Sequence, residues 1–99
     1  MENTSSPAEM RKLLAPVFTN YGVKRAILFG SFANGSANQK SDIDLLVDSG
    51  LRGLRFVSLC EDICKALGRE VDLFDVTHIE TDSKIDKEIS ATGVVIYER

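Results

Sequence analysis

The sequence predicts a small domain of the α/β or α+β class, in which helices pack on a sheet of about four strands. Stripes of apolar side chains at helical spacing alternate with short apolar runs, and glycine, serine or proline bounds each segment. The chain has 99 residues, which is the length of one small domain. We therefore expect residues 1–99 to form a single domain, with residues 1–6 frayed.

The start of the chain predicts an amphipathic helix. Ser6 and Glu9 have the spacing of a capping box, and Pro7 stands at the first helical position. Pro16 interrupts the helical pattern because it lacks an N–H group and its ring clashes with the carbonyl four residues earlier. We expect a kink or two short helices here, ended by Gly22.

The remaining elements follow from apolar runs and their boundaries. Strands are expected at residues 23–29, 42–47, 70–74 and 94–97. A second amphipathic helix ending at Gly68 is expected before the third strand, and a short helix capped by Asp82 before the fourth. Cys60 and Cys64 lie on one face of the second helix, where we expect them to pack in the core. The only histidine, His78, is expected in a loop. A zinc site needs about four ligands, and His78 lies fourteen positions beyond Cys64 with no further cysteine or histidine, which argues against such a site.

The composition indicates a globular cytoplasmic protein. No apolar run approaches the length of a membrane span, and the first residues lack the pattern of a signal peptide. Twelve basic and fifteen acidic residues give a net charge of −3. This balance argues against direct nucleic-acid binding, which depends on Lys and Arg side chains that neutralise phosphates. We expect neither a membrane nor a nucleic-acid partner.

Three acidic residues in apolar strands are candidate metal ligands. Asp42 and Asp44 share one face of a strand, about 6.6 Å apart along the chain. Asp72 interrupts the next apolar run, and the three carboxylates converge if the two strands are neighbours. Carboxylate oxygens suit Mg²⁺ or Mn²⁺. The alternative is a pair of solvated acids at the end of a strand.

A turn with exposed backbone N–H groups is the second candidate feature. Gly30 and Ser31 directly follow an apolar strand, and such a turn either binds an anion or merely reverses the chain. Combined with the carboxylates, it predicts a site for a nucleoside triphosphate and metal. The glycine spacing is that of a Walker loop, but Ser36 stands where the lysine is required, which excludes an ordinary P-loop.

These motifs, in this order, resemble the minimal nucleotidyltransferases (MNT proteins) of the DNA polymerase β-like superfamily. The resemblance implies a small nucleotidyltransferase fold with a mixed sheet. Gly30 and Ser31 would bind the triphosphate of ATP. Asp42 and Asp44 would coordinate two Mg²⁺ ions, with Mn²⁺ as the alternative metal, and Asp72 would bind one of them. All three aspartates would therefore be catalytic.

One position departs from this family pattern. Members often have arginine where Asn34 stands, so a positive contact to the phosphates is missing. Arg25, Lys40 and Arg69 are candidates to replace it, and each has a simpler interpretation as a solvated surface charge.

The resemblance also implies a biological role. MNT proteins of this size occur as antitoxins beside a HEPN toxin, so the expected activity is transfer of AMP from ATP to a tyrosine of that toxin. The short chain leaves no further segment expected to hold a primer, a tRNA or an antibiotic. The alternative is an antitoxin that neutralises the toxin by binding alone. The three aspartates and Ser31 favour catalysis, whereas Asn34 favours the binding role.

Overall fold

A computed structural model describes residues 6–30 and 43–99. Within these residues there are three α-helices and four strands. The helices are α1 (Pro7–Tyr21), α2 (Leu54–Leu67) and α3 (Lys84–Thr92). The strands are β1 (Arg25–Phe29), β2 (Ile43–Asp48), β3 (Val71–Asp75) and β4 (Val94–Glu98), and a 3₁₀ turn (Val76–His78) follows β3. Each predicted strand is present, with its boundaries shifted by at most two residues.

The four strands form one mixed sheet in the order β3-β2-β1-β4. Strand β1 is antiparallel to both β2 and β4, whereas β2 and β3 are parallel. A parallel pair needs a long crossover connection, and α2 lies in the segment that connects β2 to β3. The predicted fold class, a mixed sheet of about four strands with packed helices, is confirmed.

Helix α1 is continuous, so the alternative of two short helices is wrong. Ser6 caps it by accepting a hydrogen bond from the backbone N–H of Glu9 at 3.0 Å, and Gly22 ends it with φ of 72°. The exposed Pro16 lies inside the helix. Buried residues before and after this proline anchor both halves to the same core, which offsets its local cost: Met10, Leu14 and Phe18.

One face of the sheet carries the main hydrophobic core. Residues Ile43, Leu45 and Val47 of β2 are completely buried beneath α1 and α2. Because side chains alternate along a strand, Asp44 and Leu46 lie on the opposite face. The sheet therefore separates the apolar core from the face that carries the candidate ligands.

Two sequence-based expectations change in detail. Ser83, not Asp82, caps α3, because the Ser83 hydroxyl accepts the backbone N–H of Asp86 at 3.2 Å. Asp82 instead adopts a φ of 63° and donates its backbone N–H to the Asp86 carboxylate. The two cysteines are free thiols that are half-buried at the edge of the core rather than fully inside it.

None of the described helices is long and apolar enough to cross a membrane.

Candidate functional site

The central feature of the site is a pair of aspartates on neighbouring strands. Asp44 of β2 and Asp72 of β3 are register partners in the parallel pair, so their backbones lie about 4.8 Å apart. Both are on the face away from α1 and α2; Asp44 is half-buried and Asp72 is exposed. The structure thus brings together two of the three carboxylates that the sequence singled out.

Gly30 lies directly against this pair. It follows β1, whose last residue, Phe29, is the register partner of Asp44. A Cβ atom at Gly30 would be 2.5 Å from Oδ2 of Asp44, and the backbone there has a φ of +78°. Both the close approach and the left-handed conformation require glycine at this position.

The other predicted site residues are only partly covered by the described residues. Ser31, Asp42, Asn34 and Lys40 lie outside them. Among residues 6–30 and 43–99, no group of three or more histidine, cysteine, aspartate or glutamate side chains could hold a metal ion. The two opposed carboxylates nevertheless offer the hard oxygen donors that Mg²⁺ and Mn²⁺ prefer, so the residues present fit such an ion.

The basic side chains that could replace an arginine at position 34 differ in their distance from the aspartate pair. Arg25 lies at the far end of β1, about 13 Å along the strand from Phe29, and forms an exposed ion pair with Glu98 at 3.9 Å. It is therefore too far from Asp44 to replace the missing arginine. Arg69 is half-buried and lies just before β3, at the same end of the sheet as the aspartate pair.

An apolar patch adjoins the aspartate pair on the same face. The rings of Phe29 and Phe74 are 5.8 Å apart and tilted by 50°, and Leu46 lies between their strands with 7% of its surface exposed. Sequence reasoning gave these three residues no role in the site. The alternation that places Phe74 on the face of Asp72 was the available signal.

A further aspartate, Asp75, was also missed. It ends β3 and is 2% exposed. Its Oδ1 accepts hydrogen bonds from the backbone N–H of Ser49 at 3.2 Å and from the Ser49 hydroxyl at 2.7 Å. Its Oδ2 accepts from the backbone N–H and the hydroxyl of Thr77, at 3.1 and 2.8 Å. All four bonds stabilise the charged carboxylate.

The environment of Asp75 lowers its pKa. Burial alone would raise the pKa of this carboxyl group, but the hydrogen bonds from Ser49 and Thr77 outweigh burial and hold it below its ordinary value. The backbone N–H of Asp75 donates to Nδ1 of His78 at 3.1 Å. His78 thus belongs to the turn that follows β3, three residues beyond Asp75 and six beyond Asp72, and its ring contacts that turn and not the aspartate pair.

Comparison with known proteins places this geometry in a family. The family described as Polymerase beta, Nucleotidyltransferase matches residues 12–99. A relative from Methanocaldococcus jannaschii, named "Putative protein adenylyltransferase MJ0435", is 37% identical over 73 residues. That match covers 72% of this chain and 78% of the relative.

Two solved structures share the fold. One, described as "putative minimal nucleotidyltransferase", has a TM-score of 0.70 at 26% identity, covering 85% of this chain and 86% of the other. The second is a complex of a tri-AMPylated HEPN toxin with its MNT antitoxin from Shewanella oneidensis. It has a TM-score of 0.69 at 18% identity and covers 94% of this chain and 73% of the other. The resemblance drawn from the motifs is confirmed.

Proposed function

Because the chain belongs to the Polymerase beta, Nucleotidyltransferase family, we propose that it is an antitoxin that transfers AMP from ATP to a tyrosine of a HEPN-type toxin. The observation that carries the proposal is the placement of Asp44 opposite Asp72, with Gly30 against the Asp44 carboxylate. The name of the Methanocaldococcus jannaschii relative and the AMPylated toxin in the Shewanella oneidensis complex support the same reaction. Residues 1–99 would act as one domain in the cytoplasm.

The aspartates would hold the metal. Asp44 and Asp72 supply oxygen ligands from two strands, and Asp42 would supply the third carboxylate, so that two Mg²⁺ or Mn²⁺ ions are held. Bound metal would neutralise charge on the phosphates of ATP and lower the pKa of the acceptor hydroxyl. Gly30 keeps the backbone close to the Asp44 carboxylate, and with Ser31 it would bind the triphosphate.

The proposed reaction is an in-line displacement. The acceptor oxygen forms a bond to the α-phosphorus of ATP, the bond from that phosphorus to the bridging oxygen breaks, and pyrophosphate leaves. The hydroxyl proton passes to solvent. The chain contributes mainly position and charge, since the aspartate pair fixes the place of the phosphates relative to the acceptor.

A binding-only antitoxin is the competing function. Neutralisation by occlusion requires a surface that covers the toxin, but it requires neither opposed aspartates nor a glycine that fits beside one of them. These two features therefore favour a catalytic site over a surface used only for binding.

Intact-mass spectrometry of the co-purified toxin tests the proposal. The complex is incubated with ATP and Mg²⁺, using the wild type, an Asp44→Asn/Asp72→Asn variant and an Asp48→Asn control. Asp48 lies on the same face of β2 but pairs in register with Arg25 at the far end of the strand. We expect the toxin to gain one or more AMP groups with the wild type and the control, and none with the double variant.

Two results would overturn the proposal. An equal mass gain with the double variant would show that the aspartate pair is not the catalytic site. No gain in any sample, with the complex intact throughout, would leave the binding-only antitoxin as the function. A loss of about 4 kcal/mol of transition-state stabilisation corresponds to roughly a thousandfold slower transfer, so the expected difference is large.

A further inference from the structure

We propose that Asp75 is a positioning residue for the aspartate pair, because its side chain fixes β3 against β2 and so keeps Asp72 opposite Asp44. This inference rests on the proposed function, since it assigns a purpose to the placement of those two carboxylates. Asp75 itself lies at the other end of β3, about 10 Å along the strand from Asp72. It would therefore act through the strand and not by touching metal or substrate.

The contacts of Asp75 join two different parts of the chain. Ser49 directly follows β2, so the bonds from Ser49 to Oδ1 connect the ends of the two parallel strands. Thr77 lies two residues beyond Asp75, so the bonds from Thr77 to Oδ2 stay within one local turn. One oxygen of the carboxylate thus holds β3 to β2, and the other holds the turn.

Strand β3 needs such a connection because it lies at the edge of the sheet. Among the strands in residues 6–30 and 43–99, β2 is the only neighbour of β3 in the order β3-β2-β1-β4. The core-facing residues of β3 before Asp75 are Val71 and Leu73, which face Ile43 and Leu45. These residues are all apolar, so a slip of β3 by two residues would keep apolar side chains against apolar side chains over this part of the pair.

Asp75 makes that slip unfavourable. In the observed register it lies opposite Val47, next to Ser49 at the end of β2. A two-residue slip toward the start of β2 would place Asp75 opposite Leu45, among buried apolar side chains and without the Ser49 hydrogen bonds, which is costly for a carboxylate. The same slip would move Asp72 by about 6.7 Å relative to Asp44. Asp75 therefore opposes a slip in this direction, and its hydrogen bonds to Ser49 form in the register that pairs the two aspartates.

The two hydroxyl groups offer a matched pair of variants. Ser49→Ala removes the 2.7 Å hydroxyl bond to Oδ1 and Thr77→Val removes the 2.8 Å hydroxyl bond to Oδ2. Each variant keeps the corresponding backbone N–H bond. Ser49 also accepts the backbone N–H of Leu51 at 3.1 Å. Asp75→Asn leaves that Leu51 bond intact but alters the bonds to both Ser49 and Thr77, and it serves as a second variant that weakens the β2 connection.

The measurements are made on the full chain. Electron paramagnetic resonance measures Mn²⁺ binding, and thermal unfolding measures stability. Hydrogen exchange is measured at the backbone amides of β3. We expect Ser49→Ala and Asp75→Asn to weaken Mn²⁺ binding about tenfold, the lower end of the effect of residues that support metal ligands, and to speed exchange in β3. Thr77→Val should lower the melting temperature to a similar extent as Ser49→Ala but leave Mn²⁺ affinity unchanged.

The possible failures are distinguishable. If Mn²⁺ affinity is the same in Ser49→Ala and the wild type, the positioning role is wrong, whether or not exchange in β3 changes. If Thr77→Val weakens Mn²⁺ binding as much as Ser49→Ala, Asp75 acts only through general stability. If the wild type binds Mn²⁺ no better than Asp44→Asn/Asp72→Asn, the proposed metal site itself is wrong and the positioning role falls with it.

Discussion

The backbone of Gly30 lies so close to the carboxylate of Asp44 that a Cβ atom on Gly30 would be 2.5 Å from Oδ2. These residues are fourteen positions apart in the sequence, and the antiparallel pairing of β1 with β2 brings them together. The turn that follows β1 and the acidic strand β2 are therefore parts of one site. This contact makes a direct prediction for substitution of the glycine.

Gly30→Ala should abolish most of the transfer activity. The added methyl group would displace the Asp44 carboxylate, and misplacement of a site residue by about 1 Å can cost about a hundredfold in rate. The left-handed backbone adds a cost of roughly 1–2 kcal/mol. Gly22→Ala is the matched control, because Gly22 has a similar φ of +72° with nothing within 4 Å.

The two variants separate the effect of backbone strain from the effect of displacing the Asp44 carboxylate. Both should lose stability in thermal unfolding, but only Gly30→Ala should lose AMP transfer measured by mass spectrometry. Retained transfer in Gly30→Ala would show that the position of the Asp44 carboxylate is not critical.

Mg²⁺ and ATP together should raise the melting temperature of the wild type. The carboxylates of Asp44 and Asp72 repel each other, and a bound cation with its phosphates relieves this repulsion. At a ligand concentration about tenfold above the dissociation constant, binding adds roughly 1.4 kcal/mol to the free energy of unfolding. For a domain of this size that is a shift of about 5–10 °C in differential scanning fluorimetry.

The control for this shift is the Asp44→Asn/Asp72→Asn variant, in which it should disappear. A shift of equal size in that variant would place the nucleotide elsewhere, and no shift in the wild type would contradict a preformed site.

Asp75 should make stability depend on acid pH. Because hydrogen bonds lower its pKa in the folded state, its contribution is fully present above the pKa of the unfolded chain and is lost as the pH falls through the folded pKa. Asp75→Asn should therefore cost about 1–3 kcal/mol at neutral pH, since a buried hydrogen-bond network loses an acceptor. The difference from the wild type should shrink below about pH 4, measured by urea unfolding. A difference that stays constant down to strongly acid pH would contradict a charged Asp75.

Pro16→Ala should stabilise the protein. Pro16 lies on the exposed side of α1 and removes one helical hydrogen bond, so alanine should raise the free energy of unfolding by about 1–2 kcal/mol after allowance for the freer unfolded chain. Pro7→Ala is the matched control, because Pro7 stands in the first turn of α1, where no N–H partner is needed. Chemical denaturation of both variants measures the difference. If Pro16→Ala raises the free energy of unfolding no more than Pro7→Ala does, Pro16 costs α1 no stability.

The sequence by itself determined the elements and the chemical character of the site. The helices and strands follow from apolar spacing, and Gly22 and Gly68 mark helix ends because both adopt a left-handed backbone. The spacing of Asp42 and Asp44 in one predicted strand, with Asp72 in the next, indicates hard metal ligands without any knowledge of strand pairing. These are local properties, which a short stretch of sequence encodes.

Tertiary structure alone decided how those parts meet. The residues of β3 do not by themselves indicate that the strand pairs with β2 in parallel. The register pairing of Asp44 with Asp72 therefore depends on packing between distant segments. Asp75 reads in the sequence as one more acid after Asp72, and its buried contacts with Ser49 exist only once the two strands pair. The local cost of Pro16 predicts a break in α1, whereas the burial of Met10, Leu14 and Phe18 keeps the helix continuous. Strand pairing and burial are sums over contacts far apart in the chain, and only the folded protein makes them.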